Sequence, residues 1–247
     1  MGGKITISLP GSKSETNRLL VIQALSAGKV DILNPSEARD SQVMHDLLSS
    51  EEKLLDAEDA GTVMRFLAAY FSFLPGEKIL TGSARMQERP IGPLVEALRS
   101  IGAKIKYLVN EGYPPIQILG GNLYSGELYF DGKQSSQFAS ALILIAPYIP
   151  GGLTLHIAKD QVSKSYIDLT LGILKILGIE MQVSIDKVQI LPGVYPEMKW
   201  TIEGDYSSAS YWYEWLCFLP DVVEIKLRAL KLHSHQPDKA VIEIFSQ

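Results

Sequence analysis

The stretch SSQFASALILIAPYIPGGLTL, Ser135–Leu155, opens on two serines and a glutamine, runs through about a dozen apolar residues, breaks at Pro-Gly-Gly and re-emerges as a β-rich run. That order of events predicts a helix with a polar mouth, a turn and a strand. It recurs in SKSETNRLLVIQALSAGKVDIL (12–33), AGTVMRFLAAYFSFLPGEKIL (60–80) and SSASYWYEWLCFLPDVVEI (207–225). A second helix is expected after each strand: SQVMHDLLSS (41–50), IGPLVEALRSIGAK (91–104), SYIDLTLGILKILGIE (165–180) and DKAVIEIFSQ (238–247). In the second and third units this helix meets Gly102 or Gly178 where a left-handed C-cap belongs, then returns as AKIKYL or IEMQVSI. The units therefore predict β-α-β-α-β-β modules, an α+β fold with mixed α/β pairing. The helices are apolar nearly all round, so they are expected to lie buried beneath mixed sheets. Unequal spacing of the polar openings favours a three-fold globular domain over a solenoid.

The first unit is abbreviated, and the fourth reaches Gln247 inside its second helix. The expected division is a complete three-module domain over 12–200, with 1–11 and 201–247 forming an incomplete portion of a second domain. On this reading the chain is a fragment.

Among the 247 residues, 46% are hydrophobic, ample for a sizeable core, and the net charge of −5 gives no overall attraction to nucleic acid or an anionic membrane. The single cysteine, Cys217, excludes an internal disulfide, reads as a core thiol and fits a reducing compartment. The N-terminus MGGKITISLP lacks an apolar signal core, and ALILIAPYI is far shorter than a membrane span, so a cytoplasmic protein is expected. Four scattered histidines, with no cysteine or acidic partner beside His233 and His235, give no reason to expect a metal.

Chemistry is expected at the polar helix mouths, where unpaired N–H groups and the positive dipole end favour anions. In LPGSKSETNR, Ser12 or Ser14 can cap the helix with Arg18 solvated, or Lys13 and Arg18 can face one anion, the arginine as a bidentate fork. At Gly61-Thr62 the alternatives are a cap and a close backbone approach to ligand, while Arg65, within an apolar helix, reads as a structural ion-pair partner. Arg85 and Arg89 lie in a loop, with Pro90 at a plausible first helical position. Gln134–Phe138 offers hydroxyls and an amide, and Ser163 or Ser165 caps the helix that carries Tyr166 or adds a further donor. Asp205 most simply caps the fourth helix, and Asp59 and Glu15 are the other acids near these openings.

Together LPGSKSETNRLL, DAGTVMRFLAA, LTGSARMQERPIGPLVEAL, YPPIQILGG, SSQFASALILIAP, VSKSYIDLTLGILK and GDYSSASY resemble the EPSP synthase family, in order along nearly the whole chain. The resemblance implies the enolpyruvyl transferase domain, an inside-out α/β barrel, and a monomeric parent of two similar three-module domains. It also implies transfer of the enolpyruvyl group of phosphoenolpyruvate to the 5-hydroxyl of shikimate 3-phosphate, with phosphate released through a tetrahedral intermediate and no metal or organic cofactor. By the same resemblance, Lys13 contacts both substrates and Ser14 and Arg18 hold shikimate 3-phosphate. Ser135, Ser136 and Ser163 take its phosphate, Gln137 and Tyr166 line the site, and Gly61 and Arg89 contact phosphoenolpyruvate; Lys13 and Arg89 are the expected catalytic contacts. Asp59, Phe66 and Ser165 depart from the usual pattern, and an ionised Asp59 disfavours an anion beside it. The acid/base carboxylates are expected in the second domain, so the chain alone is expected to bind without turnover.

Sister enzymes acting on UDP-N-acetylglucosamine differ at two places. They carry an Asn after the first-turn lysine, here Ser14, and a cysteine in the arginine loop, here GSARMQERP. A non-catalytic phosphometabolite-binding module, or a relative of the RNA phosphate cyclases, is a different class; the acidic charge and the lack of a catalytic histidine motif weigh against the cyclase.

Overall fold

The computed structural model describes residues 3–131, 134–218 and 223–246. The first unit comprises β1 (Gly3–Ser8), α1 (Lys13–Leu25), β2 (Val30–Leu33) and α2 (Arg39–Leu48). The second comprises β3 (Leu54–Asp56), α3 (Gly61–Phe73), β4 (Gly76–Thr81), the single turn α4 (Ala84–Gln87), α5 (Gly92–Ser100), β5 (Lys104–Tyr107) and β6 (Ile116–Gly120). The third is β7 (Gly126–Phe130), α6 (Ser136–Ile145), β8 (Leu153–Ile157), α7 (Lys164–Ile176), β9 (Met181–Val183) and β10 (Lys187–Ile190). Then follow β11 (Met198–Thr201), α8 (Tyr206–Leu216), β12 (Val223–Arg228) and α9 (Val241–Phe245).

The β-α-β-α-β-β order holds in the second and third units, and their sheets share one plan. Strand orders are β3-β4-β6-β5 and β7-β8-β10-β9, with the first pair parallel and the others antiparallel. Both second helices end as their glycines require. Gly102 and Gly178 have φ of +104° and +75°, and the next residues, Ala103 and Ile179, donate back to Leu98 and Leu174. These are the reciprocal carbonyl-satisfying bonds of a Schellman end.

The first and last units exchange strands. β11 pairs in parallel with β2, β1 pairs in parallel with β12, and the two connecting segments touch at the Gly11–Gly204 bridge. One carboxylate fastens this crossing, since Asp205 accepts from the backbone N–H of Ser208 at 2.9 Å, capping α8, and from that of Lys13 at 3.1 Å.

Helix α6 is buried from Phe138 to Ile145 and packs within one continuous core spanning all three first modules. Such burial stabilises each large apolar side chain by about 1.5–3 kcal/mol. Helix α8 opens with a similar sequence but sits in a separate small cluster of Leu9, Tyr206, Ala209 and Val241, leaving Tyr211, Trp215 and Phe218 exposed along one stripe. Cys217 shares that exposure. Its reading as a core thiol is therefore corrected: it belongs to neither apolar cluster and neighbours the exposed Trp215 and Phe218. Among the described residues no helix is long and apolar enough to cross a membrane.

Candidate active site

The N-termini of α1, α6 and α7 meet at a cavity of about 330 Å³ lined by Lys13, Ser14, Arg18, Thr62, Phe66, Ser135, Ser136, Gln137, Ser163 and Tyr166. A neighbouring cavity of about 590 Å³ shares Ser135, Ser136, Gln137 and Ser163 and adds Arg65, Arg89 and Asp131. Of the substrate contacts that the family resemblance implies, all but Gly61 line one cavity or the other. Gly61 is in the same place, at the head of α3, against Arg89.

Ser12 caps α1 through Glu15 N–H and Ser135 caps α6 through Gln137 N–H, so both are cap residues as well as mouth residues. Two other capping expectations fail. Helix α3 begins after Ala60 without a side-chain cap, Thr62 instead accepting from the Gln137 amide at 3.1 Å. Ser163 precedes α7 with φ of +56° and makes no capping bond, its left-handed backbone departing from the extended conformation that an N-cap adopts. Pro90 is likewise outside a helix, α5 starting at Gly92 with Pro93 in its first turn.

Arg18 is buried, and its donors are engaged inside the protein. Nε donates to Thr170 Oγ1 at 2.8 Å, Nη1 to the Ser14 carbonyl at 2.7 Å, and Nη2 to the Tyr166 carbonyl at 3.0 Å and Ser140 Oγ at 3.4 Å. A guanidinium has five N–H groups, so one, on Nη1, is left. The expectation of a bidentate fork is thus corrected to a buried positive charge with a single spare donor. Burial pulls its pKa down to about 10, which leaves it protonated at neutral pH. Lys13, at the rim, donates from Nζ to Asp40 at 3.2 Å.

Arg65 is not an ion-pair partner. Nη1 donates to the Gly61 carbonyl at 3.1 Å and Nη2 to that of Pro90 at 3.0 Å, while the buried Nε–H has no protein partner. Burial first, then the Arg89 charge, lowers its pKa to about 10. The described ion pairs include none with Arg18, Arg65 or Arg89. Three guanidinium groups without carboxylate partners among the described residues therefore face adjoining cavities. Fixed cations and helix mouths of this kind hold phosphate or carboxylate groups.

Sequence reading missed Arg65 and Thr62 as site residues, and only the polar mouth around Thr62 signalled either. Asp59 is also better placed than expected, its carboxylate accepting from the Ser83 hydroxyl and its carbonyl accepting from Arg89 Nη1 at 3.3 Å. The Tyr166 phenol is raised by burial and then by the Asp238 charge.

Gly61 has a definite steric reason. A Cβ there would stand 2.6 and 2.7 Å from the Arg89 Nη atoms and 2.9 Å from Arg65 Nη1. Gly61→Ala is expected to turn the Arg89 tip out of the cavity and weaken phosphoanion binding there by about tenfold, the fold persisting because a flexible end can yield. A crystal structure of the variant and a phosphate titration check this; an unmoved Arg89 with undiminished affinity would contradict it.

A family model described as EPSP synthase (3-phosphoshikimate 1-carboxyvinyltransferase) matches residues 47–247. The 3-phosphoshikimate 1-carboxyvinyltransferase of Bacteroides fragilis (strain ATCC 25285) is 43% identical over 245 residues, which cover 99% of this chain and 60% of that protein. The one from Sulfurovum sp. (strain NBC37-1) is 41% identical over 234 residues, covering 83% and 55%. The structure of EPSP synthase from Acinetobacter baumannii aligns with a TM-score of 0.77 over 98% of this chain and 59% of its own, at 19% identity, a likeness of fold. The chain thus spans about 60% of the length of the first of these relatives.

Proposed function

The chain belongs to the EPSP synthase family, and from that premise we propose that it supplies one half of a site transferring the enolpyruvyl group of phosphoenolpyruvate to the 5-hydroxyl of shikimate 3-phosphate. The observation that carries this reading is the pair of adjoining cavities, which together hold Lys13, Arg18, Arg65 and Arg89 around shared hydroxyls. Two polyanionic substrates repel each other, and only fixed positive charge and helix mouths bring them together without proton transfer.

In the proposed arrangement shikimate 3-phosphate occupies the smaller cavity. Ser135, Ser136 and Ser163 take its phosphate, Ser14, Gln137 and Tyr166 orient the ring, and Arg18 supplies charge. Phosphoenolpyruvate occupies the larger cavity against Arg89, with Gly61 acting by admitting that side chain. Lys13, at the rim of the smaller cavity, leaves Asp40 to contact both. The proposed reaction uses no metal or organic cofactor and takes place in the cytoplasm, in a monomer. The proposed domain division, 12–200 against 1–11 with 201–247, is supported by the two separate apolar clusters, which part just after Ile202 of the larger one. Residues completing the site and supplying acid/base chemistry belong to the part of the relatives' length that this chain does not span.

The test is phosphate release from phosphoenolpyruvate. With the remaining relative-type segment joined in cis, release dependent on shikimate 3-phosphate is expected, and none from the 247-residue chain alone. A folded, joined protein that releases no phosphate would overturn the reading.

A further inference from the structure

Arg18 reaches the cavity from α1, and beside the Ser14 carbonyl of its own helix the groups that hold it belong to α6 and α7. Ser140 and Thr170 are completely buried and stand 3.0 Å apart, hydroxyl to hydroxyl. Thr170 Oγ1 accepts the Arg18 Nε–H and lies 2.9 Å from the Tyr166 carbonyl, which also accepts from Arg18 Nη2. A hydroxyl carries one hydrogen and two lone pairs, so Thr170 can donate to that carbonyl while accepting from the guanidinium. On the opposite side the Phe66 ring centroid lies 5.4 Å from the guanidinium carbon.

The guanidinium plane is therefore set by one hydrogen-bonding edge and one aromatic face. Neither hydroxyl lines the cavity, and both helices also pack within the surrounding apolar core. A long side chain with one spare N–H offers that donor in a useful direction only if its other donors are pinned.

We infer that Thr170, assisted by Ser140, is a positioning residue that orients Arg18 toward the ligand in the smaller cavity. This deepens the proposed function and rests on it for the identity of that ligand, shikimate 3-phosphate.

Thr170→Val preserves volume and removes the acceptor, whereas Thr170→Ser retains it. Two readouts on the 247-residue chain separate orientation from stability: the ¹⁵N-resolved Nε–H resonance of Arg18 without ligand, and calorimetric affinity for shikimate 3-phosphate. In the parent chain and Thr170→Ser the Nε–H is expected to be protected from exchange with water. In Thr170→Val that protection is lost and affinity falls by about 10- to 100-fold, with Thr170→Ser within about threefold of the parent. An Nε–H still protected in Thr170→Val overturns the inference, whether or not affinity changes. A parent chain that binds no shikimate 3-phosphate counts against the proposed function, while the Nε–H comparison still decides whether Thr170 orients Arg18. If Thr170→Val does not fold, Thr170→Ala with Ser140 intact gives the same comparison, and failure of both to fold marks a structural role and overturns the inference.

Discussion

Replacing Lys13 by alanine and Arg18 by methionine in one protein is expected to weaken binding of shikimate 3-phosphate by about 10²- to 10³-fold, while changing stability little. The binding loss follows from removing two charges from a site with few others; hydrogen bonds to charged groups are each worth about 1.5–3 kcal/mol. Lys13 contributes less than Arg18, because it is half exposed and must first leave Asp40. The small stability change follows from opposing effects. Methionine fills the volume of the arginine stem and removes a buried cation, but it removes the guanidinium hydrogen bonds to the Tyr166 and Ser14 carbonyls. Calorimetric titration beside thermal melts of the two proteins checks both halves, and undiminished affinity in a folded variant would contradict the placement of the ligand.

The second large effect concerns Glu15, which lies under the strand crossing and outside both cavities. Its Oε1 accepts from Trp200 Nε1 at 2.6 Å and its Oε2 from the Glu203 backbone N–H at 3.2 Å. Burial pushes its pKa up to about 7 against the Trp200 hydrogen bond, with the Glu203 charge adding to the rise and Lys231 opposing it. A carboxyl whose folded pKa is raised binds its proton more tightly when folded, so its contribution to stability falls as pH rises from about 4.5 to about 7. The full difference amounts to about 3 kcal/mol. Glu15→Gln is therefore expected to be more stable than the parent by about 1–2 kcal/mol at pH 8, less than the full difference because its amide meets the Glu203 N–H donor to donor. At pH 5 the advantage disappears. Urea unfolding at the two pH values measures this, and a variant whose difference from the parent is the same at both would show that Glu15 is ionised throughout.

The modules were legible because each carries its own local signals: a polar mouth, an apolar helix, a glycine at the left-handed end. Gly102 and Gly178 needed no tertiary context. The grouping of 1–11 with 201–247 was expected, but the strand partners themselves, β1 with β12 and β2 with β11, were not legible, because a pairing between distant segments leaves no periodicity in either strand. The site divides in the same way. Its positions could be read from the helix mouths and the family resemblance, whereas the state of each side chain could not. Arg18 looked like a free fork until Ser140, Tyr166 and Thr170, more than a hundred residues away, took up its donors. Arg65 seemed to need a carboxylate and has carbonyls instead. Glu15 was legible only as an acid near a polar opening, and Trp200 and Glu203 reveal that it is buried.

The central claim is that helix mouths and unpaired guanidinium groups in this chain form a site for a phosphorylated, carboxylate-bearing ring. Calorimetric titration of the 247-residue chain with shikimate 3-phosphate and, separately, with shikimate tests it most directly. Saturable binding of shikimate 3-phosphate below millimolar concentration, weakened by added salt, with shikimate at least about tenfold weaker, is the predicted result. No heat with shikimate 3-phosphate at millimolar concentration, or equal affinity for the two, would contradict it.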